Sequence, residues 1–174
     1  MKKALLLHSS REGQTLKILR AIESELSESY QCELVDLHEM PEVNWEDYDK
    51  VLIGASIRYG HLNKKLYRFI ETNLSSLKNK KAAFFCVNLT ARKPGKDTPE
   101  GSVYMKKFLK RSPWQPQLLD VFAGALYYPR YRFFDRVMIQ FIMKMTGGET
   151  DPTKEIEYTN WDRVKVFSGQ FRSL

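Results

Sequence analysis

Side chains suited to holding an anion gather near the start of the chain, in His8-Ser9-Ser10-Arg11-Glu12-Gly13-Gln14-Thr15. Ser9, Ser10 and Thr15 carry hydroxyls, Arg11 a guanidinium, and Gly13 permits a close backbone turn. An apolar run, Ala4-Leu5-Leu6-Leu7, precedes them, and Leu16, Leu19, Ile22 and Leu26 follow at helical spacing. A strand thus turns into a helix through hydroxyl residues and a glycine. Unpaired N–H groups at the helix N-terminus, the helix dipole and the hydroxyls would together hold a phosphate without a lysine. An ordinary capped turn uses the same residue types. The spacing is neither that of a Walker loop nor that of the dinucleotide glycine fingerprint.

The elements that must position this turn follow from the hydropathy pattern. Strands are expected at Lys2–His8, Cys32–Leu37, Lys50–Ser56, Ala82–Leu89 and Leu118–Leu126. Helices are expected from Gln14 to about Ser29, and over Leu62–Leu77, Val103–Lys110 and Asn160–Phe171. This alternation predicts a doubly wound α/β fold with a five-stranded parallel sheet, and the turn after the first strand suits the flavodoxin-like order 2-1-3-4-5. Ligands of such sheets bind beyond the carboxyl ends of the strands, and in flavodoxins themselves FMN sits at the switch between the first and third.

Three further strand ends carry matching chemistry. Ser56-Ile57-Arg58-Tyr59-Gly60-His61 offers an aromatic ring, a guanidinium and a flexible glycine. Asn88-Leu89-Thr90, with Arg92 just beyond, offers hydrogen bonds to a ring edge. Gly124-Ala125 allows close approach, followed by Tyr127 and Tyr128. A phosphate turn facing loops able to sandwich a planar heterocycle points to FMN. The alternative is that Tyr59 and Tyr127 are surface aromatics.

The totals bound the remaining possibilities. A chain of 174 residues with 43% hydrophobic and 28% charged residues suits one soluble domain spanning 1–174. Cys32 and Cys86 each lie in an apolar run and are expected to be buried thiols. His8, His38 and His61 are scattered, so no metal site is proposed. The N-terminus enters a strand at once, without a signal-peptide pattern, and no apolar run approaches the roughly 20 residues of a membrane span. Residues 12–49 hold eleven acids and two Lys/Arg, so with +7 for the whole chain the rest carries +16. Residues 78–111 alone hold ten Lys/Arg and two acids. One face should attract an anionic partner, but no nucleic-acid recognition motif accompanies the charge.

Between the fifth strand and the closing helix, residues 126–159 form a longer connection than usual. Its helical stretch, Phe133–Met145, has nine apolar positions in thirteen: Phe133, Phe134, Val137, Met138, Ile139, Phe141, Ile142, Met143 and Met145. At about 20 Å it is too short to cross a bilayer. It would pack against its own domain or a second copy, lie in a membrane interface, or form a lid over a large apolar substrate. Residues 126–148 hold four Lys/Arg and one acid, so attraction to an anionic leaflet would add on the order of 3 kcal/mol.

The chain resembles the menaquinone-dependent protoporphyrinogen IX dehydrogenases of bacteria, the short flavodoxin-like type of protoporphyrinogen oxidase. The stretches that carry the resemblance are Ser10–Thr15, Val51–His61, Val87-Asn88-Leu89 with Ala91-Arg92-Lys93-Pro94, and Gly124-Ala125-Leu126. To these are added Tyr128-Pro129-Arg130-Tyr131-Arg132 and Met143–Asp151. Ser9-Ser10 stands where the family commonly has Ser-Thr, which keeps the hydroxyl.

The resemblance implies FMN as cofactor, its phosphate held by Ser10 to Thr15 and its ring closed over by the segment from about Cys86 through Thr150 and Asp151. It implies protoporphyrinogen IX as substrate and menaquinone or a related quinone as acceptor, at the cytoplasmic face of the inner membrane. Arg58, Arg92, Arg130 and Arg132 would meet the substrate propionates. Phe133, Phe134, Val137, Met138, Phe141, Ile142 and Met145 would contact membrane or quinone, and Tyr59 and His61 are the candidates for proton transfer. A flavodoxin-type electron carrier and an FMN-dependent quinone reductase are the alternatives, and a homo-oligomer is compatible with each.

Overall fold

In the computed structural model, which describes residues 1–10, 13–39 and 42–174, the apolar runs become five parallel strands. They are β1 (Lys2–Ser9), β2 (Tyr30–Asp36), β3 (Lys50–Ser56), β4 (Lys81–Asn88) and β5 (Leu118–Ala123), hydrogen-bonded in the order β2-β1-β3-β4-β5. This is the expected doubly wound order. Strands β3 and β4 are buried along nearly their whole length because helices cover both faces of the sheet.

Helices α1 (Gln14–Leu26) and α6 (Trp161–Ser173) cover one face. Their Ile18, Leu19, Ile22, Phe167 and Phe171 pack with Leu6, Leu52, Phe85 and Phe122 of the sheet. Helices α2 (Lys64–Thr72), α3 (Leu74–Lys78) and α4 (Val103–Arg111) cover the other face. There Phe84 stacks on Phe108 with ring centroids 4.0 Å apart, and Trp114 meets both edge-on. Lys50 begins β3 although it is buried. Its ammonium donates to the carbonyls of Phe171 (2.9 Å) and Arg172 (2.7 Å), satisfying the C-terminal end of α6.

Most boundaries shift by one or two residues, and three elements differ by more. The expected Leu62–Leu77 helix splits at Asn73, whose side chain donates to Phe69 O and accepts from Trp45 Nε1. Such local bonding gives the backbone an alternative to continuing the helix. Helix α1 stops at Leu26, where Ser27 turns back to bond Ser24 O. The fifth strand ends at Ala123 rather than Leu126. Beyond Gly124 the chain forms β6 (Ala125–Tyr127), which pairs antiparallel with β7 (Glu155–Glu157) in a separate two-stranded sheet. An apolar run cannot reveal that the strand has changed partner. Of the two cysteines, Cys86 is buried and Cys32 only half-buried. Burial pushes Cys86 up to about 12, and burial together with nearby Glu23 pushes Cys32 up to about 11, so neither thiol is nucleophilic near neutral pH.

The insertion has its own small core, formed by Leu126, Tyr128 and Met143 with Ile139 and Ile156 against them. It contains helix α5 (Phe133–Met145), with the bounds expected from the sequence.

Gly54 of β3 lies in register with Phe85 of β4, and a Cβ on Gly54 would sit 2.4 Å from Phe85 Cζ. The Phe85 ring is wedged edge-on against Phe122 and Phe167. Gly54→Ala is therefore expected to lower stability by about 1–3 kcal/mol in urea denaturation. Combined with Phe85→Leu it should cost less than the sum of the two single changes.

Candidate functional site

The four strand ends meet because parallel strands bring all their carboxyl ends to one edge of the sheet. They border a cleft whose empty space, mouth included, is about 920 Å³. One end of it is the start of α1. Gly13 stands before the helix with φ 86°, a left-handed conformation that favours glycine, and no side chain among the described residues caps the helix. The first turn holds no acid, and the first intrahelical bond is Lys17 N to Gly13 O (3.0 Å). Ser10, Gln14 and Thr15 line this end. Thr15 Oγ1 is fully buried yet makes no hydrogen bond, and Asn88 Nδ2, further along the cleft, is in the same state. Burying a polar group without a partner costs roughly 1–3 kcal/mol. An uncapped helix start beside an orphaned hydroxyl fits the phosphate of a flavin nucleotide.

The opposite wall comes from the segment after β3. Arg58 and His61 exchange two backbone hydrogen bonds (2.9 and 3.0 Å) across Tyr59 and Gly60, both of which have positive φ. This is a tight turn of the type with two left-handed central residues. Tyr59, at φ 49°, is the non-glycine residue held there, and the residue lines the cleft while remaining 46% exposed. Ser56, Ile57, Arg58, Tyr59 and Gly60 line this wall, while Asn88, Leu89 and Thr90 line the β4 end. Gly124 and Ala125 line the β5 end, where a Cβ on Gly124 would come within 3.2 Å of Val87 Cγ1.

Three polar straps hold the insertion against the cleft. Gln14 donates to Thr159 Oγ1 (2.9 Å) and Glu157 Oε2 (3.1 Å), and accepts from the Tyr127 hydroxyl (2.8 Å). Glu157 also meets Lys17 Nζ at 2.5 Å. Partial burial works against its charge, but the bonds from Lys17, Trp161 and Gln14 prevail and keep its carboxyl below the usual range. On the far side Arg92 donates to Leu89 O (2.9 Å) and to Thr146 Oγ1 (3.0 Å) and O (3.2 Å), closing the C-terminal end of α5. Between them Asp135 of α5 accepts from Arg58 Nη2 (2.8 Å) and from the Tyr59 hydroxyl.

The residues singled out from the sequence therefore separate. Ser10, Gln14, Thr15, the segment Ser56–Gly60, Asn88, Leu89, Thr90, Gly124 and Ala125 share the cleft. Arg11 and Glu12 lie outside the described residues. Ser9 is buried behind the turn, with Oγ 2.9 Å from His38 Nε2. Arg92 is not among the lining residues, because backbone carbonyls and Thr146 take its guanidinium. Thr150 and Asp151 are likewise not in the lining: Thr150 O accepts from Gln140 (2.9 Å), and Asp151 bonds Thr153. Arg130 is exposed, pairs with Glu155 (2.9 Å) and lies over the Tyr127 ring (4.2 Å). Arg132 is exposed at the start of α5, and exposed His61 borders a neighbouring cavity.

The sequence reading did not single out Val87, Tyr104, Tyr131, Asp135, Ile139 and Ile142 as lining residues. Asp135 carried a signal, as the single acid in residues 126–148 against four Lys/Arg; the others match any buried aromatic or aliphatic position. The seven side chains Phe133, Phe134, Val137, Met138, Phe141, Ile142 and Met145 are all exposed, Phe134 at 81%. In this chain α5 buries only Met143 fully. No helix among the described residues is long and apolar enough to cross a membrane.

A flavodoxin-domain profile matches residues 5–153. A Leishmania major protein named protoporphyrinogen IX dehydrogenase [quinone] is 50% identical over 99% of this chain and 75% of its own length. An Escherichia coli K12 protein of the same name is 47% identical over 99% of this chain and 96% of its own. Among solved structures, a flavodoxin from the domain Archaea superposes with a TM-score of 0.52 at 13% identity, covering 98% of this chain and 96% of that one, which speaks to the fold alone. The chain belongs to the protoporphyrinogen IX dehydrogenase [quinone] family, built on a flavodoxin domain.

Proposed function

We propose that this protein binds FMN, oxidises protoporphyrinogen IX to protoporphyrin IX, and passes the electrons to menaquinone or a related quinone at the cytoplasmic face of the inner membrane. The observation that carries the reading is the extent of the match. Relatives of that name align over 99% of the chain, so the insertion is included along with the sheet. Likeness to flavodoxins alone would leave an electron carrier equally suitable.

Thr15 Oγ1 and the first N–H groups of α1 are the donors for the FMN phosphate, with Ser10 beside them. Ile57–Gly60, Leu89, Thr90, Gly124 and Ala125 flank the space for its ring. FMN supplies a hydride acceptor, which no amino-acid side chain offers. The chain's own groups bind and orient. Arg58 holds α5 to the cleft wall through Asp135 (2.8 Å). Ile139 and Ile142, on the inner side of α5, reduce water access.

A bilayer-dissolved acceptor gives the outer side of α5 a use. Burying an apolar side chain fully is worth about 1.5–3 kcal/mol, so partial insertion of Phe133, Phe134, Val137, Met138, Phe141 and Met145 offsets several kcal/mol of ordering cost. Arg132, Arg136 and Lys144 lie on the same insertion and would meet anionic headgroups, at about 1 kcal/mol each before screening.

The test is porphyrin fluorescence from FMN-loaded protein and protoporphyrinogen IX, with vesicles that either contain or lack menaquinone. Fluorescence should rise with quinone present and stay near background without it. Protein that takes up no FMN, or oxidises no porphyrinogen with quinone supplied, refutes the reading. Phe134→Asp with Phe141→Asp should reduce vesicle binding at least tenfold while FMN remains bound; undiminished binding would remove the membrane role. Asp135→Ala should speed amide hydrogen exchange across 133–139 and leave the central strands protected, since it releases α5 from Arg58 and Tyr59.

A further inference from the structure

Beside the cleft lies a second, half-open cavity whose empty space, mouth included, is about 870 Å³. Ile57, Gly60 and Tyr104 line both, so the two open on either side of the same residues. The second cavity is basic: Lys107, Lys110 and Arg111 of α4 and His61 line it, and no carboxylate does. Among the described residues, none of the three α4 cations has an acid within ion-pair distance. Arg111 instead lies over the Tyr67 ring at 3.9 Å, which restrains its plane and leaves N–H edges for an anion. Ile57 and Leu62 make part of the lining apolar. Uncompensated cations at the rim of a partly apolar hollow raise the local potential for a small anion.

We infer that this cavity is a carboxylate subsite of the substrate site, which takes the propionates of a tetrapyrrole whose ring occupies the adjoining cleft. The inference rests on the function proposed above and assigns the carboxylates to α4 rather than to the insertion. The substrate's shape suits the division. Its two propionates stand side by side on one edge of the macrocycle, and the rest of that ring is apolar. Tyr59 and Tyr104 stand at the cleft between the insertion and the basic wall, where a flat apolar body would lie. Arg92 is engaged by carbonyls and Arg130 by Glu155, so α4 holds the basic group beside the cleft that acids leave unopposed.

The test compares protoporphyrinogen IX with its dimethyl ester, which keeps the ring and removes both charges. FMN-loaded wild type should show a KM about tenfold lower for the free acid. Lys107→Gln with Lys110→Gln should raise the KM of the free acid about tenfold. It should leave kcat, the ester's KM, flavin content and thermal stability unchanged, since both lysines are exposed. The difference should shrink as salt is raised. A variant that shifts both substrates equally, or neither, overturns the inference. So does a variant that loses binding to phosphatidylglycerol vesicles yet discriminates acid from ester as wild type does; the cluster then serves lipid phosphates. Wild type that oxidises both substrates without preferring the acid overturns this inference alone. Wild type that oxidises neither overturns the proposed function and this subsite with it.

Discussion

The first turn of α1, without a side-chain cap among the described residues, is the constraint on which the rest of the molecule depends. A helix start needs partners for its N–H groups, and here Gly13 supplies no side chain and Thr15 leaves a buried hydroxyl unbonded. That deficit is stable only if an anion completes it or burial elsewhere offsets it. The sheet provides the offset: β1 runs straight into the turn, and Ile18, Leu19 and Ile22 lock α1 onto Leu6 and Leu52. The polar first turn is therefore held rigidly at the edge where the other strand ends converge.

The insertion is attached to this site by polar side chains and leaves its apolar ones outside. Gln14, the first residue of α1, is tied to Tyr127 of β6 and Glu157 of β7, Arg92 closes the end of α5, and Asp135 grips Arg58 and Tyr59. Such bonds are individually modest, but several at separate points fix a short helix whose own core is small. The consequence is division of labour within one helix. Ile139, Ile142 and Asp135 face the cleft, and Phe134, Phe141 and Met145 face outward. The cleft and the exposed apolar side chains thus lie on opposite sides of a single helix.

Much of the fold was legible in the sequence because doubly wound sheets leave a strong pattern. Buried central strands read as unbroken apolar runs, as in Val51–Ser56, and helices read by period. The bounds of α5 were visible because its apolar run begins after Arg132 and ends before Gly147-Gly148. The exit at Gly124 was not visible, since Ala125-Leu126-Tyr127 stays strand-like while changing partners. The convergence of the four strand ends follows from topology. What each side chain does there depends on competing partners that sequence does not reveal. Arg92 looked suited to a ligand and instead satisfies carbonyls; Gln14 does line the cleft, but its amide is consumed by Glu157, Thr159 and Tyr127. The α4 cations read as part of a basic face suited to an anionic partner, but their place beside Tyr67, Tyr104 and Ile57 depends on the fold.

If the first turn of α1 is the anchor, the phosphate must carry much of the cofactor's affinity. Several charge-assisted bonds at about 1.5–3 kcal/mol each would be lost with it. The most direct measurement is a fluorescence titration of cofactor-free protein with FMN and with riboflavin, which has the same ring and no phosphate. The account predicts that FMN binds about 100-fold or more tightly than riboflavin. Equal affinities would contradict it, because the ring loops alone would then be holding the flavin.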